Sequence, residues 1–262
     1  MLLIIFSLLI TTSKFFHVGA KVYGSFVLPH GGVALNPSGF HTTDMRAKQK
    51  AWKINQASVD VGRYIRRLEP DLIVLSTPHG VADAKNFAFY MAPNANGSAE
   101  TDNCDCPPCC YSASVPIDAF FTQEVLNNLT AKRLNVTGIS FFGNETAIIK
   151  CVKSFQSALL IAVWSLLYRW GEVVPLLFIG NIGRSKVVIF SHPSKKLYEI
   201  LEETSLKVVV VISSDLAHTH DASSPYGFST SAAPFDRACG HWASTLRPTY
   251  LLKVAANHAE KV

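Results

Sequence analysis

Three histidines stand at like places along this sequence. His30 lies in Pro29-His30-Gly31-Gly32, His79 in Pro78-His79-Gly80, and His218 in Ser213-Ser214-Asp215-Leu216-Ala217-His218. Each follows a short apolar, β-branched run, at residues 22–28, 72–75 and 206–213. Neutral imidazole is a good ligand for iron, zinc and copper. Two histidines and one carboxylate with open positions form the donor set of non-haem Fe(II) oxygenases. His30 and His79 are the candidate nitrogen ligands. His218, beside Asp215 on a separate strand end, is the candidate acid/base, because imidazole exchanges protons near neutral pH. One such histidine alone would read as a loop residue bonded to backbone; three at equivalent positions argue for a site.

Elements that could bring them together are legible in the pattern. The runs at 72–75 and 206–213 are continuous rather than alternating, as expected for strands buried on both faces of an α/β sheet. Pro78 cannot donate to a ladder, so the second run stops there and His79 falls just past its carboxyl end. That edge is where open α/β sheets bind ligands. Between the first two runs, Ala47, Trp52, Ile54, Ala57, Val61, Tyr64 and Ile65 recur at helical spacing up to Leu68. Thr43 reads as the N-cap, with Asp44 favouring the dipole in the first turn. Strand, helix, strand is a βαβ unit, so both Pro-His-Gly loops are expected on the same edge of a parallel sheet.

The rest of the chain extends this frame. Strands are expected at 86–92, 136–142, 171–179 and 186–190, and helices at 120–134 and 195–204. Leu197, Ile200 and Leu201 share one face of the last of these. Residues 93–114 are polar and rich in Pro and Cys, and read as a long loop or lid over the site edge. Cys104, Cys106, Cys109 and Cys110 crowd into that stretch. Zinc sites space their cysteine pairs further apart, so incidental thiols are the first reading and a local redox or metal role the second. The apolar stretch 157–168 falls short of the ~20 residues a membrane helix needs and reads as a buried helix, so no stable membrane span is expected. A last helical region opens at Phe235-Asp236.

Composition sets outer bounds. The chain has 262 residues, 48% hydrophobic and 16% charged, enough to bury the core of one large α/β domain. Lys plus Arg is 24 against 19 for Asp plus Glu, a formal charge of +5. The basic residues are scattered with no aromatic-basic stripe, which argues against a nucleic-acid partner. Residues 1–20 form an apolar leader without a basic n-region: a signal peptide cut near Ala20, or a misplaced start. Sequons at Asn96, Asn128, Asn135 and Asn144 fit secretion but also arise by chance. A cytoplasmic enzyme is the first reading and a secreted one the alternative.

The motifs as a set carry a resemblance. Leu28-Pro-His-Gly-Gly, Pro70-Asp-Leu-Ile-Val-Leu-Ser-Thr-Pro-His-Gly, Gly171-Glu-Val-Val-Pro-Leu, Val211-Ile-Ser-Ser-Asp-Leu-Ala-His, Pro225-Tyr-Gly-Phe and Phe235-Asp follow one another in the order seen in class III extradiol ring-cleavage dioxygenases. That is the family of the catalytic subunit of protocatechuate 4,5-dioxygenase, and the resemblance covers residues 22–240. It implies a single α/β domain over 21–262, with a central, mostly parallel or mixed sheet flanked by helices. The metal site would lie at the carboxyl ends of the strands. It also implies Fe(II), with zinc as the alternative, a small aromatic diol as substrate, and O2 as co-substrate. By the resemblance His30 and His79 are metal ligands, His218 is the acid/base, and Glu172, Asp215 and His220 contact substrate. The family's third ligand is a Glu near the carboxyl end, usually before a Cys-Gly-type segment. Here Glu260 is the only Glu after Glu203, so it is the candidate third ligand of a chain that reads as C-terminally truncated. Asp236 is the fallback carboxylate, or else a helix N-cap. The resemblance admits a homodimer. It equally admits a Memo-like signalling or interaction protein, or a metal-dependent hydrolase on the same fold.

Overall fold

The computed structural model describes residues 22–29, 32–76, 86–100, 110–139, 176–179 and 191–262. Within them the chain is mixed α/β. Its main sheet has six strands: β1 (Val22–Leu28), β2 (Leu72–Ser76), β3 (Phe87–Tyr90), β6 (Val136–Ile139), β7 (Leu176–Ile179) and β8 (Val208–Ser213), in the order β1-β8-β2-β7-β3-β6. The first four in that order run parallel. β3 meets β7 antiparallel and β6 parallel, so the sheet is mixed, as the resemblance implied.

Strand β8 inserts between β1 and β2. The register pairs Leu28 with Ser213 and Ser76 with Ile212. The carboxyl ends of the three strands are therefore level on one edge, as the strand-helix-strand pattern requires. Ile73, Leu75, Val209 and Val211 are fully buried, as are Leu72 and Val208 on the alternate face, which is why these runs read as continuous rather than alternating.

Helices pack on both faces. On one, α3 (Ala119–Ala131) and α4 (Ser191–Glu203) enclose a core of Phe121, Val125, Leu126, Leu129, Ile200 and Leu201 against Leu72, Val74, Phe89 and Val208. Leu197 is partly buried against that core, so the expected apolar face of this helix is present. The other face carries α2 (Met45–Leu68), whose Tyr64 ring meets Phe26 edge-on at 5.8 Å.

Helix α2 corrects two expectations. Its N-cap is Asp44 rather than Thr43: the Asp44 carboxylate accepts the Arg46 N–H at 2.8 Å. Asp reaches the N2 amide as well as Thr does and adds a charge matched to the dipole. The buried stripe is Ala51, Asn55, Ser58, Gly62 and Ile65, while Trp52, Ile54 and Tyr64 are exposed. Small residues let the helix lie close to its neighbours. Asn55 is kept inside because its amide donates to the carbonyls of Ala34 (2.8 Å) and Leu35 (3.1 Å), the end of the short helix α1 (Gly32–Leu35). Those carbonyls have no partner within their own helix, so a buried amide there completes them.

The stretch expected to be a lid contains structure of its own. Strands β4 (Asn94–Glu100) and β5 (Cys110–Pro116) pair antiparallel as a separate two-stranded sheet. The Pro- and Cys-rich composition between them masked the two flanking strands. The final helix α5 (Ala232–Thr245) begins earlier than Phe235. A π-helical turn at Tyr250–Ala255 and a 3-10 turn at Ala259–Lys261 follow it. Among the described residues no helix is long and apolar enough to cross a membrane. The leader, Cys104, Cys106 and Cys109, the stretch 157–168 and the strand expected at 186–190 lie outside the described residues.

Candidate active site

The level strand ends set the place. The chain leaves β1 at Leu28, two residues before His30, and leaves β2 at Ser76, three before His79. Both histidines, and Glu172, lie outside the described residues. Between those two exits β8 ends at Ser213, and the Ser214 amide donates to the Leu28 carbonyl at 2.9 Å, tying the start of the next loop to the end of β1. That loop carries Asp215, His218 and His220.

His218 faces two groups of its own loop. Its Nε2 lies 3.1 Å from Asp215 Oδ2, with the side chains 46% and 32% exposed. The Tyr226 ring stands edge-on to the imidazole, centroids 5.0 Å apart and planes at 84°. An ionised carboxylate only accepts, so Nε2 carries the hydrogen in this pair and Nδ1 keeps its lone pair. A pair of this kind holds one tautomer on a half-exposed side chain and keeps a nitrogen lone pair for proton exchange.

His220 does not share that carboxylate. Its Nε2 is 2.7 Å from Asp236 Oδ2, on α5. The other oxygen of Asp236 accepts the Ala217 amide hydrogen at 2.9 Å. Asp236 is therefore no N-cap. It is the fifth residue of α5, whose N-cap is Ser231. Behind this clamp the loop closes on itself. Ser229 N–H donates to the Thr219 carbonyl at 2.8 Å, and His220 and Phe228 form an isolated antiparallel bridge. Gly227 takes φ +72°, which suits glycine. Asp221 accepts both the amide and the hydroxyl of Ser223, each at 2.8 Å. These bonds, the backbone one foremost, hold the Asp221 carboxyl below its ordinary range.

Glu260 is exposed on the last 3-10 turn. Two residues before it, His258 Nδ1 lies 3.1 Å from Ser231 Oγ, so the terminal turn is fastened to the start of the helix that carries Asp236. Among the described residues no three His, Cys, Asp or Glu side chains are gathered as a metal set. On α5, burial and then the Asp236 charge push the Cys239 thiol up.

The contacts of Tyr226 and Asp236 were not foreseen as such. The spacing His218-Thr219-His220 gave a partial signal, since alternate residues of an extended segment share a side. Nothing local indicated that the second histidine answers to a carboxylate sixteen residues on. No protein-family model matches the chain, and no curated protein matches it. The dioxygenase resemblance thus rests on the order and spacing of its motifs.

Proposed function

We propose that the chain is a non-haem Fe(II)-dependent extradiol dioxygenase that opens the ring of a catecholic aromatic with O2. The observation that carries this reading is the Asp215–His218 pair on the loop after β8, between two parallel strands whose own exits lead to His30 and His79. The donor chemistry fits the metal: two imidazoles and a carboxylate, His30, His79 and Glu260, would hold Fe(II) and leave positions open. When bound, the iron would acidify the diol and hold it beside O2.

The chain's own contribution is proton handling. His218 Nδ1 accepts a proton from a substrate hydroxyl while Asp215, bonded to the Nε2 hydrogen, balances the charge of the imidazolium so formed. The same nitrogen returns the proton later in the cycle, leaving the residue as it began. Tyr226, edge-on to the ring, limits its rotation. Glu172, Asp215 and His220 are the proposed polar contacts of the substrate. In Asp215 that role is combined with orienting His218. The test is oxygen consumption by protein reconstituted with Fe(II) under a panel of catechols, read together with the yellow absorbance of ring-opened product. Uptake that needs both iron and a diol supports the reading, and hydrolysis without oxygen use would replace it with the hydrolase alternative.

A further inference from the structure

We propose that Asp236 is a positioning residue for His218, acting through the loop backbone rather than through the imidazole. The clamp itself stands on geometry alone, whereas its consequence for turnover rests on the dioxygenase reading above.

Asp236 uses its two oxygens on two different points of the loop. Oδ1 takes the Ala217 N–H at 2.9 Å, and Oδ2 takes His220 Nε2 at 2.7 Å. These two points bracket His218, one residue before it and two after. One carboxylate with both oxygens engaged cannot rotate to release either partner singly, so the segment 217–220 is held as a unit. The anchor belongs to another element. Asp236 is on α5, whose start holds Ser231, 6% exposed and bonded to His258 from the terminal turn. Asp is a poor residue for a helix interior, because its side chain competes for nearby backbone. Here it points away from its own helix to an amide nineteen residues earlier, which compensates for that cost.

Other ties act on the loop as well. The Ser214 amide bond to Leu28 holds the loop's start, and the Thr219–Ser229 bond with the His220–Phe228 bridge ties the residues just after His218 to the segment before α5. Asp215 meets the imidazole from three residues earlier on the same loop. Asp236 adds a direct bond from within α5 to the backbone just before His218. Proton transfer needs its donor and acceptor within a few tenths of an ångström of reach, so freedom at this backbone lowers kcat more than it weakens substrate binding.

The test uses the full chain, with Asp236→Ala and Asp236→Asn. Amide exchange at Ala217 reads the clamp without any metal or substrate. A hydrogen bond to a charged acceptor protects an amide by about tenfold to a hundredfold. Asp236→Ala is expected to lose that protection. Asn keeps an oxygen for Ala217 and can still bond His220, so Asp236→Asn is expected to retain most of it. With catechol and iron, Asp236→Ala is expected to lower kcat about tenfold or more, by a larger factor than KM rises, with bound iron within twofold of wild type, and Asp236→Asn to recover most of the loss. Should Asp236→Ala not fold, the Ala217 amide in wild-type protein decides: exchange as fast as in an unstructured peptide overturns the clamp. So does unchanged Ala217 exchange in folded Asp236→Ala. Wild-type protein without oxygen uptake overturns the dioxygenase reading and leaves the exchange result to decide the clamp alone. Full kcat in Asp236→Ala, with wild-type turnover intact, overturns the positioning role.

Discussion

Asp215 Oδ2 sits 3.1 Å from His218 Nε2, three residues further along the same loop. The pair fixes which nitrogen of His218 is left to work. Replacing Asp215 by Asn presents an amide that can donate to Nε2, and so favours the tautomer with its hydrogen on Nδ1. The base is then blocked in place. We expect Asp215→Asn to keep iron and fold while kcat falls on the order of 10²–10⁴-fold, the range general-base catalysis covers. Steady-state kinetics beside iron content measures this. A kcat within twofold of wild type would show that Asp215 does not set the tautomer.

Asn55 makes a prediction about stability alone. It is 8% exposed and completes two carbonyls at the end of α1. Asn55→Ala leaves both buried acceptors without that donor. The expected loss is about 1–3 kcal/mol, read from the shift in urea midpoint at unchanged slope. Trp52→Ala, one turn away on the exposed side of α2, is expected to shift it far less.

Those two residues also show what the sequence could and could not reveal. Continuous β-branched runs identified β2 and β8, because strands buried on both faces must be apolar at every position, while β1, whose burial alternates, was marked by the repeated Pro-His-Gly that follows it. The parallel order followed from the helix between β1 and β2, and the level strand ends followed from that. The burying face of α2 came through only at Ile65. Apolar periodicity pointed to Trp52, Ile54 and Tyr64, yet close packing selected the small stripe Ala51, Ser58 and Gly62, with Asn55 kept for its hydrogen bonds. The site divided in the same way. His218 beside Asp215 was visible because three residues separate them. Asp236 with Ala217 and His220 was not, since contacts sixteen and nineteen residues apart leave no local pattern.

Acid should loosen the far end of the site loop. Asp221 is held ionised by the Ser223 amide and hydroxyl, and its carboxyl lies below the ordinary value. A carboxylate of lowered folded pKa contributes stability that is complete above its unfolded pKa. That contribution is lost as pH falls through the folded value. The Ser223 amide resonance should therefore stay constant on descent from neutral pH to about 4 and move only below the ordinary aspartate value of ~3.9. In Asp221→Asn that low-pH step should vanish. A step centred above that value in wild type would contradict the assigned bonds.

The central claim is that His30 and His79 hold a metal which His218 serves but does not bind. Iron content of protein purified without oxygen, measured side by side in wild type, His30→Ala, His79→Ala and His218→Ala, tests it most directly. The account predicts about one iron per chain in wild type and in His218→Ala, with near-complete loss in the other two variants. Iron retained at full stoichiometry in both His30→Ala and His79→Ala would contradict it.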